Sequence, residues 1–157
     1  GSEMCIRDSI ITICGMGGRL IADIVTKGMN VITQNTTLIV SPQSEVGDFR
    51  HFLVSQRLVV DDEKMLKEDG KYYFIIKCRK SDENVYSEYS ETQYQYGWKL
   101  LENKDKTLYE YLIKEKETND GISNSLKKDE SNPTVKLRLQ KLSQKNNIIM
   151  DALSYYD

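Results

Sequence analysis

The feature that most constrains this chain is the run Ile10-Ile11-Thr12-Ile13-Cys14, which stops abruptly on Gly15-Met16-Gly17-Gly18. A short, β-branched, nearly unbroken apolar run reads as a strand covered on both faces, as in a parallel sheet. The glycines read as a tight turn out of it. Leu20, Ile21, Ile24 and Val25 then recur at helical spacing, with Gly28 placed to end the helix. Such a β-turn-α opening commits the chain to an α/β sheet.

The alternation continues. Thr37–Val40 is a second covered strand, closed by Ser41-Pro42 because proline cannot extend the ladder. A helix is expected from about Ser44 to Gln56, with Val46, Phe49 and Leu53 inward and Ser44 as its N-cap. Leu58–Val60 starts a third strand, Glu63–Lys71 is polar, and Asp69-Gly70 is a strong hairpin signal before the returning strand Tyr72–Cys78. The expected order over 10–80 is β-α-β-α-β-β.

Residues 81–93 read as a linker and Tyr94–Glu117 as a helix with Leu100, Leu101, Leu108, Tyr111 and Leu112 inward. Thr118–Pro133, rich in Asn, Ser, Asp and Lys, reads as a loop. Val135, Leu139, Leu142, Asn146, Ile149, Leu153 and Tyr156 alternate spacings of four and three, a coiled-coil seam with Asn146 able to fix its register. Three units are therefore expected: 1–9 as a tag or non-native remnant, 10–80 as the α/β unit and 81–157 as a helical hairpin.

Composition narrows the function. Lys and Arg total 22 against 24 Asp and Glu, for a net charge of -2. A nucleic-acid contact would need a local patch. Such a patch exists as Lys136, Arg138, Lys141 and Lys145 on the last helix, although a solvated helix surface explains it as well. The three cysteines, Cys5, Cys14 and Cys78, lack metal-site spacing and suit a reducing, cytoplasmic setting. No run is long enough to span a bilayer, and no metal is expected. His51, the only histidine, stands alone on a helix and reads as structural.

Two loops carry candidate chemistry. Gly15, Met16, Gly17 and Gly18 let backbone approach a ligand at a helix start, or simply make a turn. They form neither the dinucleotide fingerprint nor a Walker loop. Ser41, Pro42 and Gln43 would lie beside them at the carboxyl ends of adjacent strands, where open α/β sheets bind ligands.

Taken together, Ile13–Ile21 resembles the block after the fourth strand of the bacterial tRNA (adenine-22-N1)-methyltransferase family, the TrmK type, with Cys14 where alanine is typical. Thr37–Gln43, Phe49–Leu53, Asp69–Tyr73 and Tyr96–Leu112 with the last helix match the family's later elements more loosely. The resemblance implies an α/β fold: the C-terminal half of a Rossmann-like class I methyltransferase sheet, followed by a coiled-coil hairpin. It implies S-adenosylmethionine as cofactor and tRNA as partner. It places Gly15–Gly18 as the catalytic target-base loop, with Cys14, Ser41, Pro42 and Gln43 around the substrate and Lys136, Arg138, Lys141 and Lys145 on RNA. The family's acidic cofactor motifs are expected before Ile10, so the chain as given is expected to be inactive alone, with Ile10–Cys14 at a bare sheet edge. A non-catalytic RNA- or protein-binding module is the alternative, and a phosphate-binding enzyme using the glycine loop is a third reading.

Overall fold

The computed structural model describes residues 9–81 and 88–157. Residues 1–8, and with them most of the expected remnant and Cys5, lie outside the described residues, as does 82–87 of the expected linker. Four strands, β1 Ser9–Met16, β2 Thr36–Pro42, β3 Leu58–Glu68 and β4 Lys71–Lys80, form one sheet in the order β1-β2-β4-β3. β1 and β2 are parallel, while β2–β4 and β3–β4 are antiparallel. The helices α1 Gly18–Lys27 and α2 Val46–Ser55 follow β1 and β2. The mixed α/β order expected for 10–80 is therefore present.

Each element follows from its residues. Ile21 and Val25 of α1 and Phe49 and Leu53 of α2 pack with Leu38 and Val40 of β2 and with Ile76 and Cys78 of β4. Asp69 and Gly70 both take positive φ, which suits the two-residue turn that joins β3 to β4. α2 differs from expectation at its start. Its N-cap is Glu45, in left-handed conformation with no side-chain cap, and Ser44 lies one residue outside.

β3 is a single strand that continues through the polar stretch after Val60. A bulge between Val60 and Asp62 shifts its phase. Leu58 and Val60 face inward before it, and Glu63 and Met65 after it. The bulge therefore turns a carboxylate into the core.

The helical region departs most from expectation. The helix expected over Tyr94–Glu117 is three helices: α3 Glu91–Tyr96, α4 Trp98–Glu102 and the start of α5 Lys106–Leu126. Gly97, at φ +94°, breaks the first junction because a side chain there would strike the Glu63 carboxylate. At the second junction Lys104 is left-handed and Asp105 caps α5 by accepting from the Leu108 amide. The loop expected at Thr118–Pro133 is mostly the rest of α5, then a short 3₁₀ turn at Lys127–Asp129. Weak helix formers stay helical there because Asn119 is buried and Ile122 and Leu126 are half-buried. α6 runs Pro133–Ser154, with Asn132 as its cap and Pro133 in its first turn.

α5 and α6 lie side by side and antiparallel, since Tyr109 contacts Tyr156 while Asn146 donates to Asp120. None of the seven seam residues from Val135 to Tyr156 is fully exposed. A second apolar cluster, with Leu100, Leu101, Leu108, Leu112 and Ile149, joins these helices to Met65 and Phe74 of the β3–β4 hairpin.

Candidate functional site

The two candidate loops meet, because β1 and β2 are parallel neighbours. Cys14 pairs with Ser41 and Met16 with Pro42, with Gly15 bulged between them at φ +79°. The strand thus runs two residues past Cys14, to Met16. The Gln43 amide donates to the Met16 carbonyl at 2.8 Å, and the Gly18 amide donates to the Ser44 carbonyl at 2.8 Å.

The glycines divide by role. A β-carbon at Gly17 would lie 2.7 Å from Ser44 Oγ, and one at Gly18 would lie 2.7 Å from the Glu45 carbonyl oxygen. Gly18 is small so that α1 can start against the Ser44–Glu45 backbone, and Gly17 so that the Ser44 hydroxyl can lie against it. Gly15 faces open space. It is glycine for its backbone angle, and with exposed Cys14 it is the part of this block open to a ligand.

The Ser44–Glu45 segment held in this way forms one wall of a cleft of about 290 Å³. Pro42, Gln43, Glu45 and Asp48 line that side, and Tyr96, Tyr111, Glu115 and Lys145 line the opposite, helical side. It therefore brings together Pro42, Gln43 and Lys145 of the expected site residues. Ser41 is half-buried and, like Cys14 through Gly18, lies outside its lining.

Glu115 is the hub of the helical wall. It accepts from the Tyr96 hydroxyl at 2.8 Å and the Tyr111 hydroxyl at 2.7 Å, and Lys145 Nζ stands 4.0 Å away. Burial, and then the Glu115 charge, pushes both tyrosine hydroxyls well above their ordinary pKa, so they stay protonated donors. At the rim, Tyr72 donates to Glu110, and Lys67 and Lys114 stand over the Tyr72 ring.

A buried arginine ties the two walls together. Arg50 of α2 pairs with Glu63 at 2.8 Å, both side chains wholly buried, and donates to the Tyr94 and Gln95 carbonyls at 2.8 and 2.9 Å. Its guanidinium also sits 5.0 Å from the Phe74 ring centre. One turn earlier, Gly47 leaves room for Gln95, whose Nε2 would lie 2.5 Å from a β-carbon there. No role was expected for Arg50, Glu63, Tyr96, Tyr111 or Glu115. One signal was legible: Arg50 occupies the inward stripe with Val46, Phe49 and Leu53.

On α6, Arg138, Lys141 and Lys145 fall within about 60° of one another at 3.6 residues per turn, while Lys136 is at least ~140° away from each. The first three form one exposed flank that ends at the cleft, and Lys136 belongs to the other side. His51 is exposed, stacked on Tyr94 at 3.6 Å between ring centres and 3.5 Å from Glu91. Among the described residues no group of His, Cys, Asp and Glu could hold a metal, and no helix is long and apolar enough to cross a membrane.

Parallel β1–β2 with following helices, an antiparallel hairpin at the far edge and a cleft at the strands' carboxyl ends define a Rossmann-like α/β protein. A Streptococcus agalactiae protein of the NADB-Rossmann superfamily has this fold, with TM-score 0.74 at 27% identity over 92% of this chain and 60% of that one. Residues 5–150 match the model of the TrmK family, tRNA (adenine(22)-N(1))-methyltransferase, and the chain belongs to that family. The Bacillus subtilis tRNA (adenine(22)-N(1))-methyltransferase is 37% identical over 75 residues, 48% of this chain and 32% of that protein. The structure of M. capricolum TrmK, solved with S-adenosyl-homocysteine, gives TM-score 0.73 at 25% identity over 94% of this chain and 60% of its own. The chain thus spans about a third of the curated relative and about three-fifths of the solved ones.

Proposed function

We propose that this chain carries the target-base and RNA-contacting part of an S-adenosylmethionine-dependent tRNA adenine-N1 methyltransferase, acting at position 22 in the cytoplasm. Residues 10–80 would form part of the methyltransferase unit, and 81–157 a coiled-coil hairpin that grips the tRNA. The observation that carries this reading is the cleft at the carboxyl ends of the parallel strands, continuous with the Arg138–Lys141–Lys145 flank. Its Gln43 and Gln95 amides suit a base edge, and the flank suits phosphates. Family membership supports the same reading and does not favour a non-catalytic module.

The cofactor would supply an electrophilic methyl group. The open backbone at Cys14 and left-handed Gly15 fits the methyl-bearing end of such a molecule. The acids that the family uses for the ribose and methionine parts are not assigned to any residue of 10–157. This chain's share of the work is to place the base, which contributes through orientation.

Binding of a tRNA transcript, measured by anisotropy between 50 and 200 mM salt, tests the reading. Lys141→Glu combined with Arg138→Glu should weaken binding by about tenfold or more and flatten the salt dependence by about one unit of slope per cation. Lys136→Glu should change it by less than about twofold. Equal effects at the two faces would sink the proposed track.

A further inference from the structure

The cleft and the track differ in charge, and that difference points to what the cleft holds. Carboxylates of Glu45, Asp48 and Glu115 line it against one ammonium, Lys145. A phosphate would be repelled from such an interior, whereas Arg138 and Lys141 outside would attract one. The group that enters is therefore neutral or cationic, with N–H donors, and small enough for about 290 Å³. A single nucleobase meets those limits, with the tyrosine-rich helical wall offering ring surface.

We propose that Glu115 is a specificity-determining residue that recognises the positive charge adenine acquires when N1 is methylated. This rests on the methyltransferase reading above. In that reaction the N1 lone pair forms the new N–CH₃ bond, the S–CH₃ bonding pair stays on sulfur, and the positive charge passes from sulfonium to base. A fixed carboxylate beside the base is worth more to that charged form than to neutral adenine. Glu115 is fixed. The Tyr96 and Tyr111 hydroxyls hold one oxygen each and leave lone pairs on both.

Lys145 supplies the exchange. In the free protein its ammonium stands 4.0 Å from Glu115, on a side chain 54% exposed. It shares a flank with Lys141 and Arg138, so a tRNA phosphate arriving along that flank competes for it. As Lys145 turns to the phosphate, Glu115 is released to the base. One ion pair thus couples backbone binding to base binding.

The test is the affinity of this chain for two tRNA transcripts that differ only at position 22, adenine in one and N1-methyladenine in the other. The wild-type chain should prefer the methylated transcript by about tenfold at low salt, the size of one charge-assisted contact. Glu115→Gln should erase that preference. Lys145→Gln should weaken both transcripts yet widen the preference, because Glu115 then has no resident cation. A structural role for the pair would move the two variants in the same direction. Equal wild-type binding of the two transcripts, or a preference that survives Glu115→Gln, overturns the proposal and leaves RNA binding standing. If the wild-type chain binds neither transcript, the failure belongs to the methyltransferase reading itself.

Discussion

The two sides of this sheet are built differently. On the β3–β4 side, the strands are backed by α2, α4 and α5, and the seam is pinned by Arg50, Glu63 and a tyrosine network. On the β1 side, Ile10 is 68% exposed, Val31 68% and Leu20 52%. Among the described residues β1 pairs with β2 alone, yet its composition is that of an interior strand. One side is fixed by contacts that each hold several elements, while the other presents apolar surface and an open ladder edge. The cleft lies at the well-fixed side, which keeps its two walls at a set spacing.

The largest effect is expected where that side is pinned. Arg50→Ala should cost about 3–5 kcal/mol in urea unfolding, because it strands the buried Glu63 carboxylate and removes the bonds to Tyr94 and Gln95. The double change Arg50→Met, Glu63→Leu should recover much of the loss, since no charge is then left alone. A single substitution costing less than about 1 kcal/mol would show that the pin is not what distinguishes the two sides.

The cysteines sample both sides. Cys78, in β4 at the centre of the sheet, is wholly buried, and burial pushes its thiol up to about 12. Cys14 is exposed on β1. Mass spectrometry after brief alkylation near pH 8 should find Cys14 modified and Cys78 untouched until denaturant is added, because the thiolate is the reactive form. Rapid labelling of Cys78 in the folded chain would mean that the sheet opens as readily at its centre as at β1.

A smaller effect is expected at the open edge. The pair Ile10→Lys, Leu20→Glu should change unfolding free energy by no more than about 0.5 kcal/mol, since both side chains face solvent. It should nevertheless lower concentration-dependent association in sedimentation, because a charge on an edge strand blocks strand pairing. A wild-type chain that stays monomeric at high concentration would show that the edge is protected in solution.

Much of the α/β order was legible because its signals are local: apolar runs, Asp69-Gly70 and the stripe Val46-Phe49-Leu53. The adjacency of the two loops followed from strand order alone. What was not legible depends on pairing across the chain. The bulge beside Asp61 turns Glu63 inward, and nothing in a run of acidic residues announces it. Arg50 was legible only as an odd charge on an inward stripe, and its partner lies 13 residues on in another element. The stretch after Thr118 carries residues that favour turns and so reads as a loop, and packing against α6 overrides that preference. The Glu115 cluster draws on three helices, α3, α5 and α6, and gains its meaning only where they meet the sheet.

The smallest effect is expected at the cleft rim, where β3, β4 and α5 meet at the surface. Glu110 takes hydrogen bonds from Lys67 and Tyr72. The Lys67 bond, and then the Tyr72 bond, holds the Glu110 carboxyl below the usual range, while the Glu110 bond raises Lys67. A depressed carboxyl contributes stability that is present above its unfolded value and is lost as the pH falls through its lower folded value. A raised lysine contributes below its unfolded value and loses it as the pH rises past the folded one. The link should therefore hold across neutral pH, fail first in acid below the ordinary glutamate range, and fail again only in strong alkali. Since these groups are exposed, the expected shift in melting temperature is slight. Glu110→Gln should melt marginally below the wild type at pH 7, and the gap should close as the pH falls through the depressed folded value of Glu110, below the ordinary glutamate range. A gap that persists unchanged into acid would mean that position 110 acts through packing, and that the rim of the well-fixed side owes nothing to charge.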